Sequence, residues 1–337
     1  MGALYNWVKL QEEYECYFFI ADWHALTTDY ANPGDLGKKS EQVALDFLAA
    51  GLDPAKSIIF RQSDVPQHAS LSLLFGMITP LSWLERVPTY KDQQEQLREK
   101  DLATYGFLGY PLLQAADILL YKPKFVPVGQ DQVSHVELTR EVARRFNQLY
   151  RSATTSHVAH ASSDKERLKA EVSENQVERA VFPEPDALLT PSPKLPGLDG
   201  RKMSKSYGNT IALTESPEDL RKKLKTMVTD PARVRRTDPG DPDVCPVGDL
   251  HKLFSTPETL AKVYQGCRSA SIGCIECKGW AADAISRHLE PIAARRAAFE
   301  SQPGLVADIL RDGGRRAESI AAQSMQDAMV AAGLRSA

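Results

Sequence analysis

The sequence lacks the features of a membrane-spanning or exported protein. Within its 337 residues no apolar run approaches the roughly 20 residues that a helix needs to cross a bilayer. The first seven residues, Met1 to Trp7, do not follow the charged-then-apolar layout of a signal peptide. We therefore expect a cytoplasmic protein that does not bind a membrane.

A large excess of charge of either sign is also absent, and cysteine is scarce. The net charge of −3 argues against a protein that coats a polyanion with its whole surface, so any nucleic-acid-binding surface must be a local patch. Five cysteines in a reducing compartment indicate metal binding or free thiols more than a disulfide framework. The chain is long enough for two domains, each with its own core.

Strands alternate with helices in the first part of the chain, and helices follow. This order predicts an α/β domain with a parallel sheet, of the Rossmann-like nucleotide-binding kind, and then an all-helical domain. We place the boundary near residue 210, giving domains 1–210 and 211–337, with a polar, exposed insertion at about 152–178. The predicted strands are 16–21, 57–60 and 124–128, and the predicted helices of the first domain include 39–50, 70–83, 112–121 and 130–149.

The segment Lys202-Met203-Ser204-Lys205-Ser206 follows the glycine-containing loop 196–201. Two lysines on a mobile loop can close over a triphosphate and neutralise the leaving pyrophosphate. A solvated basic loop is the alternative, but a five-residue match next to this loop makes it the weaker one. The segment matches the lysine-loop signature of class I aminoacyl-tRNA synthetases.

Two further segments carry candidate binding residues. Gly129, Asp131 and Gln132 lie in a turn from a strand into a helix, where open α/β sheets build nucleotide crevices. Asp117 lies on an otherwise apolar helix, where an unpaired carboxylate is costly to bury. A structural carboxylate bonded to the backbone is the alternative for Asp117, and a core histidine is the alternative for His24, which follows the first strand.

Four of the five cysteines, Cys245, Cys267, Cys274 and Cys277, fall within 33 residues in the spacing C-x21-C-x6-C-x2-C. Such spacing is typical of zinc and iron–sulfur sites, and composition alone does not distinguish them. Four unrelated free thiols are the alternative. Ten Lys or Arg against four acidic residues between Arg201 and Arg236 indicate phosphate contact, with a solvated helix face as the other interpretation.

Nearly the whole chain, from Gly2 to about Val330, resembles the bacterial-type tryptophanyl-tRNA synthetases. The resemblance implies that Lys202 and Lys205 are catalytic, acting with the rest of the lysine loop on ATP. It implies that the 129–132 turn contacts ATP and that Asp117 accepts the indole N–H of tryptophan. The implied ATP contacts are Gly129, Asp131, Gln132, Lys202, Met203, Ser204, Lys205 and Ser206, and the implied tryptophan contacts are Asp117, Gln114, Gln132, His24 and Tyr110. Gln114 departs from the family, which carries a Met there.

The resemblance also implies the reaction, its cofactors and its partners. The implied activity is ATP- and Mg²⁺-dependent activation of tryptophan, followed by transfer to tRNA(Trp), by a homodimer. The four cysteines resemble those of the branch that carries a [4Fe–4S] cluster in a tRNA- or anticodon-binding C-terminal domain, with zinc as the alternative. Two alternatives remain for the function: a tyrosyl-specific relative, and a non-catalytic paralogue that binds tryptophan or tRNA.

One family feature does not occur in the sequence. Members carry a first strand and a Pro-x-Gly-x-x-His-x-Gly-His motif, which lies against ATP, directly before the Gly-Ala-Leu found here at residues 2–4. We expect a misassigned start or a truncated chain, with natural loss of the motif as the alternative. Without these phosphate contacts we expect weak activity or none.

Overall fold

The computed structural model of the chain describes residues 2–88, 102–159, 180–189, 195–204 and 207–336. It divides into two compact units, and the chain passes between them several times. The larger unit comprises Glu15–Ala44, Pro54–Thr190 and Val306–Ala337, and the smaller unit comprises Met1–Tyr14, Leu45–Asp53 and Pro191–Leu305. The single boundary near residue 210 stays a prediction about the organisation into domains.

The larger unit contains parallel strands, which confirms the predicted α/β class. β1 (Cys16–Ile20) pairs with β2 (Ser57–Arg61), with Cys16 opposite Ser57. β3 (Phe125–Val128) pairs with β4 (Asp186–Leu189) in the same sense. Among the residues that the structure describes, these are two separate two-stranded sheets. The four residues of β4 were not predicted, because they are too few to show a strand period.

Helices surround these strands, and prolines and caps decide where several of them begin or end. The helix predicted over 70–83 is two helices, because Pro80 cannot donate a backbone hydrogen bond and biases Thr79 to an extended conformation. The helix predicted over 112–121 begins earlier, where the Thr104 side chain accepts from the Phe107 amide at 3.1 Å. The helices from α2 to α6 are α2 (Asp22–Asp29), α3 (Leu36–Ala50), α4 (Gln67–Ile78), α5 (Leu81–Glu85) and α6 (Tyr105–Leu119).

The long helix after β3 departs from its prediction at both ends. A 3₁₀ turn (Gln130–Gln132) precedes it, and α7 (Val133–Ala159) then continues into the segment predicted to be an insertion. The remainder of that predicted insertion, residues 160–178, lies outside the described residues. The buried face of this helix ends near Phe146, since Leu149 is 47% exposed.

An aromatic cluster forms the centre of the larger unit's core. Phe75, Phe146 and Phe182 are fully buried, and their ring centroids lie 5.0 to 6.1 Å apart in edge-to-face geometry. The last helix, α12 (Leu305–Ala331), adds small residues to this core, including Ala317 and Ala321. The core fixes α4, α6 and α7 around the position of Asp117.

The smaller unit is helical in the part that the structure describes. It contains α1 (Gly2–Leu10), the last turns of α3, and α8 (Pro217–Thr226), α9 (Pro246–Phe254), α10 (Pro257–Arg268) and α11 (Cys274–Glu300). Side-chain caps begin α8 and α10: Ser216 accepts from the Asp219 amide and Thr256 from the Thr259 amide. Across both units, none of the helices that the structure describes is long and apolar enough to cross a membrane.

Candidate active site

Asp117 is the buried centre of a polar cluster in the larger unit. It lies near the end of α6, and only 3% of the residue is exposed. His24 from α2 approaches its Oδ2 at 2.8 Å, while Gln62 and His68 approach its Oδ1 at 2.7 and 2.6 Å. The alternative interpretation of Asp117 was a structural carboxylate bonded to the backbone. Its observed partners are instead side chains from three other parts of the chain.

Counting donors shows which oxygen of Asp117 can accept another hydrogen bond. A carboxylate offers about four lone-pair directions, two on each oxygen. Within the described part of the chain, Gln62 and His68 use both directions at Oδ1, whereas His24 uses one at Oδ2. The second direction at Oδ2 is therefore available to a ligand N–H in a nearly water-free environment, where such a bond is strongly selective.

The cluster also keeps this carboxylate ionised. Burial alone raises the pKa of Asp117, but hydrogen bonds from His24 and His68 and their charges outweigh burial, so its pKa is lowered. Burial, the Asp117 charge and Tyr17 raise the pKa of Tyr121, whose hydroxyl lies 2.8 Å from His68 Nε2. The Asp117 carboxylate is thus an acceptor at neutral pH, and the Tyr121 hydroxyl keeps its proton.

The other predicted tryptophan contacts on α6 share a helix face with Asp117. Tyr110 and Gln114 precede it by seven and three residues, a spacing that places all three on one side of the helix. Tyr110 and Gln114 are partly buried, and the Tyr110 hydroxyl lies 2.9 Å from His135 Nε2. His24 is also partly buried and is brought to Asp117 by α2. All five predicted tryptophan contacts therefore lie in the larger unit, where His24 contacts Asp117 and Tyr110 and Gln114 share its helix face.

The predicted turn after β3 presents its polar groups at the surface. Gly129 and Asp131 are exposed, and Gln132 is partly buried with its side chain 3.3 Å from Asp131 Oδ2. A Cβ added to Gly129 would lie 2.8 Å from Asp131 Oδ1, so a larger residue there would push the carboxylate away. The turn has the exposed carboxylate and amide expected of a site for a polar ligand such as a ribose.

The lysine loop, in the smaller unit, is shaped as a tight hairpin. Pro196 and Lys202 form an antiparallel bridge, and the Met203 amide donates to the Leu195 carbonyl at 2.9 Å. Gly200 adopts a left-handed φ of +81° at the tip, which favours glycine. Lys202 is exposed and makes no ion pair with any residue that the structure describes. Lys205 and Ser206 lie outside the described residues.

A buried asparagine, which the sequence analysis missed, holds this hairpin. The Asn209 side chain donates to Asp199 Oδ1 at 2.7 Å and accepts from the Ser204 amide at 2.8 Å. Only 3% of Asn209 is exposed, and a Cβ on Gly197 would lie 2.2 Å from its Nδ2. Asn209 thus fixes the backbone on both sides of Lys202. Its one sequence signal is its place five residues after Ser204.

The four clustered cysteines come together at helix ends in the smaller unit. Cys245 precedes α9, Cys267 lies in the last turn of α10, and Cys274 and Cys277 begin α11. All four are free thiols, and burial followed by the charges of the other three raises the pKa of Cys277 to about 12. Within the described ranges, however, no three His, Cys, Asp or Glu side chains are arranged to hold a metal ion. The effect of the other three cysteines on the pKa of Cys277 indicates that the four thiols are neighbours. It does not define the geometry of a metal site.

The basic stretch between Arg201 and Arg236 is mixed in character. Arg233 is buried and donates to the carbonyl of Ile272 at 2.6 Å, so its guanidinium is structural. Lys223 pairs with Glu215 at 2.7 Å. Arg235 and Arg236 are exposed on the loop between α8 and α9. The solvent-facing positive charge of this stretch therefore includes that loop.

Comparisons with known proteins agree in family. The family described as class I tRNA synthetases (W and Y) matches residues 1–290. The chain is 48% identical over 375 residues to a tryptophan–tRNA ligase of Ralstonia nicotianae, covering 99% of this chain and 94% of that protein. It is 49% identical over 329 residues to one from Thermotoga maritima, covering 97% and 92%.

A solved structure gives the same result at the level of the fold. The tryptophanyl-tRNA synthetase of Campylobacter jejuni, complexed with ADP and tryptophan, superposes with a TM-score of 0.82. Its sequence is 29% identical, and the match covers 98% of this chain and 94% of that one. The chain therefore belongs to the class I tRNA synthetase family of tryptophan and tyrosine enzymes, within its bacterial tryptophan–tRNA ligase members.

Proposed function

We propose that this chain activates tryptophan with ATP, giving tryptophanyl-adenylate and pyrophosphate, and transfers the tryptophanyl group to tRNA(Trp). The observation that carries the proposal is the buried Asp117 carboxylate, which has one lone-pair direction left at Oδ2. An indole N–H satisfies that direction, whereas a side chain without a suitably placed donor leaves it unpaired at a cost of about 1–3 kcal/mol. The membership of the family and its tryptophan–tRNA ligase relatives support the same substrate.

The pocket around the indole is assigned to residues already grouped near Asp117. Tyr110 and Gln114 share its helix face and line the side of the ring, and His24 holds Oδ2 from the other side. Gln132, next to the β3 turn, contacts the amino-acid part of the substrate. Steric fit comes from the helix face, while selectivity comes from the acceptor.

The nucleotide is assigned to the β3 turn and the lysine loop. Gly129 and Asp131 contact the ribose, and Lys202 and Lys205 neutralise the phosphates together with substrate-bound Mg²⁺. Met203, Ser204 and Ser206 of the same loop contact the nucleotide. The tryptophan carboxylate attacks the α-phosphorus, the bond to the bridging oxygen breaks, and pyrophosphate leaves. The protein contributes positioning and charge stabilisation, so no nucleophilic side chain is needed.

Pyrophosphate exchange tests the activation step. The chain is expected to incorporate labelled pyrophosphate into ATP when tryptophan is present and not when tyrosine replaces it. Exchange with tyrosine would identify the tyrosyl-specific alternative. Tryptophan binding with no exchange and no tRNA charging, both in this chain and in one extended upstream, would identify the non-catalytic paralogue.

For the tRNA we propose a surface that includes the exposed Arg235 and Arg236 within the helical domain 211–337. Arginines facing solvent next to one another suit phosphate contact. Replacing both by Gln is expected to raise KM for tRNA and lower its salt dependence, while pyrophosphate exchange stays unchanged. The buried Arg233 is excluded from this surface by its backbone bonds.

The four cysteines are proposed to hold a [4Fe–4S] cluster, with zinc as the alternative. Four free thiols, three of which raise the pKa of the fourth, Cys277, supply the sulfur donors that both centres use. Cys245, Cys267, Cys274 and Cys277 would hold it, and bound there it would cross-link the ends of three helices. Iron, sulfide and zinc analysis of anaerobically purified protein distinguishes the two. Cys274→Ser should lose the metal, whereas Cys16→Ser should keep it.

A homodimer is proposed on an exposed apolar surface of the larger unit. Leu73 and Met77, one turn apart on α4, are 59% and 71% exposed, and Tyr105 is 77% exposed. A Cβ on Gly76 would lie 3.3 Å from the Tyr105 hydroxyl, so the tyrosine adjoins the same helix. Contiguous apolar exposure of this kind marks protein interfaces. Met77→Asp is expected to give monomers in light scattering, and the equally drastic Leu334→Asp at another exposed site should leave the dimer intact.

A further inference from the structure

His68 is a buried histidine that the roles assigned so far do not use. Its side chain is fully buried on α4, with the rings of Phe19, Phe60 and Tyr121 at 5.6 to 6.0 Å. Both ring nitrogens nevertheless have partners: Nδ1 lies 2.6 Å from Asp117 Oδ1, and Nε2 lies 2.8 Å from the Tyr121 hydroxyl. An imidazole enclosed by aromatic rings and bonded at both nitrogens has little freedom to rotate.

The direction of the bond between His68 and Asp117 follows from the ionised carboxylate. The Asp117 carboxylate, which is ionised, can only accept, so His68 Nδ1 carries a proton and donates to Oδ1. The Tyr121 hydroxyl keeps its proton because burial raises its pKa, and it can therefore donate to Nε2. The result is a chain of hydrogen bonds from Tyr121 through His68 to Asp117.

These hydrogen bonds determine which way the Asp117 carboxylate faces. His68 and Gln62 together occupy Oδ1, so rotation of the carboxyl group about its own axis would break two hydrogen bonds at once. Oδ2, with its one available direction, is thereby fixed towards the ligand side. Among the residues that the structure describes, the partly exposed His24 is the partner of that oxygen.

We propose that His68, held by Tyr121, is the positioning residue that gives the site its selectivity for an indole N–H. The proposal rests on the function assigned to Asp117 above, and it adds a residue that touches neither tryptophan nor ATP. Its consequence is specific: loss of His68 should weaken the preference for ligands with the N–H more than it weakens ligand binding in general.

The test is equilibrium binding measured by calorimetry with tryptophan and with 3-benzothienylalanine, in which sulfur replaces the indole N–H. The wild-type chain is expected to prefer tryptophan strongly. His68→Leu keeps an apolar side chain in the aromatic enclosure but removes both hydrogen bonds, and the preference should fall roughly tenfold. His68→Asn returns an N–H donor near the position of Nδ1, and the preference should recover to within about threefold of wild type.

A second pair of variants tests the same series of hydrogen bonds without altering His68. Tyr121→Phe removes one hydroxyl, and its preference for tryptophan should fall by about threefold. Tyr17→Phe is the matched control, because its ring stacks on Tyr121 at 4.7 Å while its hydroxyl donates to Glu15 and not to His68. The control should keep the wild-type preference.

The outcomes separate this proposal from the proposed function. An unchanged preference in folded His68→Leu and in Tyr121→Phe would overturn the positioning role, even if wild-type pyrophosphate exchange is normal. If His68→Leu does not fold, as judged by circular dichroism, Tyr121→Phe and His68→Asn decide alone. A wild-type chain that binds tryptophan without exchange, and whose preference falls in the variants, would uphold the positioning role and reject the catalytic function.

Discussion

Replacing Asp117 by Asn changes one atom of the side chain and reverses the chemistry at the ligand-facing position. Gln62 and His68 both donate to Oδ1, so the Asn oxygen is expected to stay there and keep their bonds. The new NH₂ group then takes the place of Oδ2, where His24 and the indole N–H both need an acceptor. The variant therefore presents a donor to a donor while nearly conserving the volume of the side chain.

The size of the effect follows from the bond that is lost. A hydrogen bond to a charged, buried acceptor contributes about 1.5–3 kcal/mol, and each 1.4 kcal/mol is about tenfold in affinity. Asp117→Asn is thus expected to weaken tryptophan binding roughly 10- to 100-fold. Binding of 3-benzothienylalanine should change much less, because that ligand never donated to Oδ2.

Calorimetry with both ligands, together with tryptophan-dependent pyrophosphate exchange, measures this prediction. The matched control is Asp312→Asn, the same change at an exposed carboxylate of α12 that pairs with Arg315. The control should bind and exchange as the wild type does. Tryptophan affinity within about twofold of wild type in a folded Asp117→Asn protein would refute the reasoning, because the proposed bond would then contribute less than about 0.5 kcal/mol.

Three further predictions address the lysine loop, the core and the acid response. Asn209→Ala removes the bonds that shape the hairpin and should lower kcat for pyrophosphate exchange about tenfold or more, with tryptophan affinity unchanged. Gly313→Ala should destabilise the chain by about 1–3 kcal/mol in urea unfolding, because its Cβ would lie 1.9 Å from the backbone oxygen of Ile59. Gly279→Ala, in a helix with open space around it, should instead stabilise by up to about 1 kcal/mol. The pKa of Asp117 is lower in the folded chain than in the unfolded chain, where it is about 4. The hydrogen bonds that lower it therefore stabilise the fold above about pH 4, and this contribution is lost as the pH falls through the folded pKa. Asp117→Asn should therefore show a flatter loss of unfolding free energy between about pH 4 and pH 2 than wild type, and an equally steep loss would contradict it.

Much of the fold was predictable because local signals agree with it. The apolar runs that form β1, β2 and β3 were visible in the sequence. The predicted start of a helix was wrong where a local sequence preference, such as that of proline, disagrees with the tertiary packing. Pro111 lies inside α6, so a helix read from composition begins after it, whereas the Thr104 cap begins the observed helix a full two turns earlier.

The candidate site was predictable only in its outline. Asp117 was conspicuous as a lone acid on an apolar helix, but its partners Gln62 and His68 come from residues 55 and 49 positions away and have no local pattern. Asn209 was missed for the same reason, since an isolated asparagine in a loop resembles any turn residue until its bonds are seen. Long-range hydrogen bonding is decided by the tertiary fold, which periodicity does not encode.

The most direct test of the account is exchange of labelled pyrophosphate into ATP by this chain, with tryptophan and with tyrosine, in the wild type and in Asp117→Asn. If Asp117 accepts the indole N–H, tryptophan-dependent exchange falls by one to two orders of magnitude in the variant. No exchange with tyrosine is then expected in either protein. Equal exchange with both amino acids, or exchange with tryptophan that Asp117→Asn leaves intact, would contradict it.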